Sequence, residues 1–171
     1  MMAPPPVALL VIALAMALEA RRASPNEARL FAAGARLVPD PSYPPMRVVY
    51  PAGFVLLCLE GWWRGAAWDG WALAGLVVFA LGKAIKYAAM AALGERWSFR
   101  VVVLPGAPLI DTGVYRYLRH PNYVGLAGEI AGAALWMHAP IAGTLFAVTF
   151  GSLLVRRIRV EERALGFAPR A

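Results

Sequence analysis

The chain has 171 residues, 60% of them hydrophobic and 16% charged, against about a quarter charged in an ordinary soluble domain. With a mean hydropathy of +0.58 this excludes a soluble globule and points to one compact integral membrane domain over 1–171. The formal charge of +7 on that apolar mass points to anionic lipid rather than nucleic acid, and the one cysteine, Cys58, excludes an internal disulfide and a cysteine-built metal site.

A spanning helix needs about 20 mostly apolar residues. Five segments reach or approach this, at about 4–20, 46–62, 70–93, 122–138 and 140–156. The first is read as a retained helix and not a cleaved signal, because Arg21 and Arg22 follow the apolar run instead of preceding it. Next, Ser24-Pro25-Asn26-Glu27 offers serine as N-cap, proline at N1 and glutamate at N3, a capping box opening a short surface helix. Prolines at 39, 41, 44 and 45 make an irregular turn into the second segment. Trp62, Trp63, Trp68 and Trp71 read as an interfacial aromatic belt. Lys83 and Lys86 read as lysines that snorkel from the third segment to the interface, with a lipid-headgroup or substrate role as the alternative.

Arg100 to Leu104 reads as extended, and Pro105-Gly106 and Asp111-Thr112-Gly113 as turns. His120 precedes a proline and is biased away from helix, while Pro121 suits the first position of the fourth helix. His138-Ala139-Pro140 leaves room for nothing but a tight hairpin between the last two helices. Gly128 and Gly132 mark close packing against a neighbour, and Glu129, inside an apolar helix, demands a partner. In the tail, Arg157 and Glu161 have the spacing of an i,i+4 ion pair on a solvated helix.

The arginines test the five-span reading. With the N-terminus outside, Arg21, Arg22, Arg29, Arg36, Arg47, Arg96, Arg100, Arg116, Arg119, Arg156, Arg157, Arg159, Arg163 and Arg170 all fall on the cytoplasmic side, and Arg64 alone falls outside. The expected setting is a bacterial inner membrane.

Chemistry concentrates in GVYRYLRHPNYVG, positions 113 to 125. Arg119 and His120 stand at a helix N-terminus, where backbone N–H groups and the helix dipole favour an anion, with Tyr115, Tyr117 and Tyr123 around them. The hairpin returns the tail to the same face, so Glu161 and Glu162 can close over the same point.

Gly113-x-Tyr115-x-x-x-Arg119-His120-Pro121-x-Tyr123-x-Gly125, followed by a helical hairpin and an Arg-x-x-x-Glu-Glu tail, resembles the isoprenylcysteine carboxyl methyltransferase family over about 96–165. The resemblance implies an all-α membrane bundle of about five spanning helices, with a cytosolic cofactor pocket formed by the 97–121 segment and the C-terminal tail. It implies methyl transfer from S-adenosylmethionine to an oxygen of a lipophilic acceptor, either a prenylated substrate's carboxylate or a hydroxyl of an alkylated pyrone or resorcinol. No metal is implied. Arg119, His120 and Tyr123 become candidate catalytic residues, and Leu104, Tyr115, Pro121, Glu161 and Glu162 join them as candidate donor-binding residues. Where eukaryotic members tend to have a histidine before Leu109, this chain has Ala107. Two other readings compete: an NADPH-dependent membrane reductase of lipid double bonds, which shares Arg-His-Pro-Asn-Tyr, and a lipid-binding bundle without catalysis.

Overall fold

The computed structural model of the protein describes residues 3–166. Arg170, counted above among the tail arginines, lies outside them. Five helices carry the fold: α1 (Pro4–Ala32), α2 (Tyr43–Trp63), α3 (Gly70–Leu93), α4 (Pro121–Trp136) and α5 (Pro140–Ala164). Two two-residue strands, β1 (Arg36–Leu37) and β2 (Val102–Val103), pair antiparallel with Arg36 opposite Val103. Single 3₁₀ turns occupy Gly94–Arg96 and Gly113–Arg116.

Gly70–Arg96 and Pro140–Ala164 are long and apolar enough to cross a membrane by length and composition. α4, at 16 residues, measures only about 24 Å at 1.5 Å per residue. The helices alternate in direction. Gly61 near the end of α2 lies against the Met137 carbonyl at the end of α4, while the last turns of α1 meet the loop after α3. Proline opens α1, α2, α4 and α5 within their first two positions, where its missing N–H costs no helical bond. The α4–α5 hairpin forms as the sequence requires.

The expected helix start at Ser24 does not exist. α1 runs through it with Pro25 inside, and Ser24 Oγ donates back to the Ala20 carbonyl at 3.3 Å. The residues of the would-be capping box have tertiary partners instead. Asn26 Nδ2 donates to the Gly94 and Trp97 carbonyls at 3.2 and 2.9 Å. Glu27 accepts from Ser98 Oγ at 2.8 Å and pairs with Arg100 at 3.1 Å. Those contacts hold the last turns of α1 in line and offset the bond that Pro25 removes.

The core is aliphatic and aromatic, with Ile12, Phe54, Leu57, Trp136, Phe146 and Phe150 all at most 4% exposed. α3 and α4 approach through glycine. A Cβ on Gly82 would stand 2.8 Å from the Gly125 carbonyl, and one on Gly132 would strike the Phe79 backbone. The neighbour anticipated for Gly128 and Gly132 is therefore α3, at a backbone distance that side chains would forbid.

Candidate active site

Pro121 forces His120 out of the helix, to φ −130° and ψ 59°, and makes it the N-cap of α4. The His120 carbonyl still accepts from Tyr123 N and Val124 N at 3.0 and 3.2 Å. Its ring stacks on that of Tyr123 at 5.5 Å between centroids and 22° between planes. One turn of α4 thus presents an imidazole and a phenol side by side.

The end of α5 supplies their partners. His120 Nε2 meets Glu162 Oε1 at 3.1 Å, the two side chains being 11% and 16% exposed. Tyr123 Oη donates to Glu161 Oε2 and accepts from Arg157 Nε at 3.1 Å. Tyr115, half-buried in the 3₁₀ turn Gly113–Arg116, completes the group. Burial pushes its phenol well above the ordinary range, the Glu161 carboxylate adds to the shift, and Tyr115 stays neutral. The structure therefore brings together His120, Tyr123, Tyr115, Glu161 and Glu162, with Pro121 buried beneath them. Arg119 is exposed immediately before the N-cap, and Leu104 sits half-buried after β2, its carbonyl accepting from Ala107 N at 3.2 Å.

Arg157 corrects one expectation. It forms no solvated pair with Glu161 but is 6% exposed, with Nη1 2.8 Å from Asp40 Oδ2 and Nη2 on the Phe99 carbonyl. A buried guanidinium needs a carboxylate and acceptors in its own plane, and Asp40 and Phe99 provide them. Asp40 is in turn fixed by Ser42, whose N–H donates to it at 2.9 Å. Sequence reading missed Asp40; the signal was a lone acid among the prolines preceding α2.

Lys83 and Lys86 overturn another. They do not reach for the interface; they are 8% and 3% exposed. Lys83 Nζ lies 2.7 Å from Glu19 Oε1 and 2.8 Å from Glu129 Oε2. Lys86 Nζ lies 2.6 Å from Glu19 Oε2 and 3.4 Å from Glu129 Oε1. Tyr50 Oη donates to Glu129 at 2.5 Å. A lysine surrounded by two carboxylates gains more from staying inside than from unwinding its side chain to water. Glu129 has the partners it demanded, and Glu19 is the residue sequence reading overlooked.

Between the two polar groups lies a chamber of about 480 Å³, bounded by all five helices and the 97–100 loop. Tyr123 and Arg157 form its wall toward the His120–Glu162 end, and Glu19 and Lys86 its wall toward the interior.

The description of the family model that matches residues 73–166 is isoprenylcysteine carboxyl methyltransferase (ICMT) family. The uncharacterized protein YpbQ of Bacillus subtilis (strain 168) is 28% identical over 93% of this chain and 94% of its own length. Protein-S-isoprenylcysteine O-methyltransferase A of Arabidopsis thaliana is 29% identical over 52% of this chain, and protein-S-isoprenylcysteine O-methyltransferase of Saccharomyces cerevisiae is 31% identical over 53%. This chain spans 46% and 39% of the length of those two enzymes. No solved structure matches. The match covers α3 to α5 and so contains the stacked histidine and tyrosine and both of their glutamates; the chain belongs to the isoprenylcysteine carboxyl methyltransferase family.

Proposed function

We propose that the protein is a membrane methyltransferase that moves the methyl group of S-adenosylmethionine to an oxygen of a lipophilic acceptor. The acceptor class is an isoprenylcysteine-like carboxylate or a hydroxyl of an alkylated pyrone or resorcinol. One observation carries the reading: His120 and Tyr123 at the start of α4 meet Glu162 and Glu161 at the end of α5.

The residues present fit the donor. Its carboxylate suits Arg119, His120 and the N-terminus of α4; its ammonium and ribose hydroxyls suit Glu161 and Glu162. The faces of Tyr115 and Tyr123 suit a cation. When bound, the donor supplies an electrophilic methyl on a sulfonium. The chain's work is to align the reactants, since positioning alone is worth several kcal/mol. Glu162 fixes the orientation of the His120 ring through the 3.1 Å contact. Where the acceptor is a hydroxyl, His120 is the candidate base instead of a partner of the donor's carboxylate; a carboxylate acceptor needs no base.

The same reading makes all five helices membrane-spanning, with the N-terminus outside and the α4–α5 site cytoplasmic. Support comes from the alternation of the helices, which sets the arginine-bearing loops at one end and Arg64 at the other. A bacterial inner membrane suits that arrangement.

The deciding experiment is titration of the purified protein with S-adenosylhomocysteine, the demethylated product. Binding that Glu162→Ala weakens at least tenfold is expected, since a lost charge-assisted bond costs about 1.5–3 kcal/mol. A folded protein that ignores the product would sink the proposal.

A further inference from the structure

Arg157 and Glu161 stand one turn apart on α5, and that spacing makes each the other's natural counter-charge. The pair does not form. Among the described residues Glu161 makes no ion pair; its bond is with Tyr123 Oη, although Arg157 Nε lies 3.1 Å from that same hydroxyl. One hydroxyl therefore separates a guanidinium from a carboxylate that it does not pair with.

Asp40 accounts for the separation. It lies in the loop between β1 and α2, its side chain is 4% exposed, and its two oxygens have separate duties. Oδ1 accepts from the N–H and the hydroxyl of Ser42, which fixes the carboxylate. Oδ2 takes Arg157 Nη1 at 2.8 Å. With Nη2 on the Phe99 carbonyl, both terminal nitrogens are engaged and Nε is left for Tyr123. A guanidinium so fixed in its plane cannot swing to a second carboxylate without breaking charge-assisted bonds. The Tyr123 oxygen, accepting from Nε, gives its own proton to Glu161.

The consequence is electrostatic. Because Arg157 has Asp40, the negative charge of Glu161 stays available to a cation from outside the chain. With the Asp40 carboxylate removed, the guanidinium would be buried without a counter-charge, a costly state that closing on Glu161 relieves. The donor's ammonium would then meet a carboxylate already neutralised.

We infer that Asp40 is a positioning residue for the donor site: it holds Arg157 off Glu161 and thereby keeps that carboxylate open to the ammonium of the methyl donor. The inference rests on the methyl-transfer reading. It gives the segment before residue 73, outside the family match, a part in donor binding.

The test is equilibrium binding of two ligands to the full chain in detergent at neutral pH. One is S-adenosylhomocysteine; the other is 5′-S-(3-carboxypropyl)-5′-thioadenosine, the same molecule with hydrogen in place of the amino group. Wild type should favour S-adenosylhomocysteine by about tenfold, the value of one charge-assisted hydrogen bond. Asp40→Asn keeps the size of the side chain but offers one acceptor oxygen where two are used. It should erase the preference by weakening S-adenosylhomocysteine about tenfold and leaving the amino-free analogue unchanged. Adding Arg157→Gln removes the guanidinium that would take Glu161, and the preference should return to within about threefold of wild type. A merely structural Asp40 would move both ligands together, and the second substitution would not restore their ratio. Where Asp40→Asn does not fold, Ser42→Ala, which removes a hydroxyl bond to Asp40 and no charge, should lower the ratio about threefold. A ratio that the Asp40 or Ser42 variant leaves unchanged, a loss shared equally by both ligands, or a double variant no better than the single overturns the inference. Equal binding of both ligands by wild type overturns it too and leaves methyl transfer standing. Wild type binding neither ligand strikes the methyl-transfer reading itself, and this inference with it.

Discussion

Two polar groups about one helix apart behave differently. The interior group sets two ammoniums, Lys83 and Lys86, against two carboxylates, Glu19 and Glu129, all nearly sealed from solvent. The rim group sets two carboxylates against a histidine, a phenol and the Arg157 guanidinium, with 11–16% exposure at the His120–Glu162 contact. A balanced, sealed group has no reason to change partners. It ties α1, α3 and α4 together. A group beside solvent can exchange a protein partner for a ligand. Charged groups in this molecule are sealed in one place and open to solvent in the other.

The contrast breaks most sharply at Lys86. Lys86→Met leaves two carboxylates facing one ammonium, so stability should fall by about 3–5 kcal/mol, read from denaturant unfolding in detergent. An unchanged midpoint would remove the architectural role. Adding Glu19→Gln restores a one-to-one pair, and the double variant should regain at least half of the loss. If the two losses simply add, the group is not a unit. At the rim the pattern should reverse. Tyr123→Phe removes the hydroxyl between Glu161 and Arg157 and should lower turnover about tenfold, while stability changes by only about 0.5–1.5 kcal/mol. A larger stability loss with intact turnover would make the rim architectural too.

The smallest effect belongs to the opposite end. The Ala72 N–H, donating to Asp69 at 2.8 Å, holds that exposed N-cap carboxyl below its ordinary range, and the neighbouring His138 helps. A depressed carboxyl stabilises the fold above its unfolded value, and that contribution is lost as pH falls through the folded one. Melting curves of wild type and Asp69→Ala should therefore differ slightly at neutral pH and converge in acid. A gap that persists in acid would show another origin.

The sequence made the rim legible because its geometry is local. A proline after His120 and another after Ala139 dictate where α4 begins and where the chain turns back, and those two events alone bring Glu161 and Glu162 over His120. The interior group was not legible. Glu19 and Lys86 are separated by 67 positions and Asp40 and Arg157 by 117, and no periodicity links such pairs. Lys83 and Lys86 carried a partial signal, three residues apart on one face of α3 beside Gly82, where the glycine-rich face of α4 packs. Pro25 misled because local propensity for a helix start yielded to Asn26 and Glu27, whose tertiary bonds outweigh it. The strand at Val102–Val103 was readable from its β-branched run, whereas its partner, Arg36–Leu37, was not.

The ties across residue 73, where the family match begins, set how portable the matched segment is. Asn26 holds the Trp97 carbonyl, Arg36 pairs with Val103, and Asp40 neutralises Arg157, all from the N-terminal side of that line. Grafted alone onto another protein, residues 73–166 would carry a buried guanidinium with no counter-charge and an edge strand with no mate. The first two helices are therefore not interchangeable packaging. Any replacement for them has to bring its own carboxylate to Arg157 and its own strand to Val102–Val103.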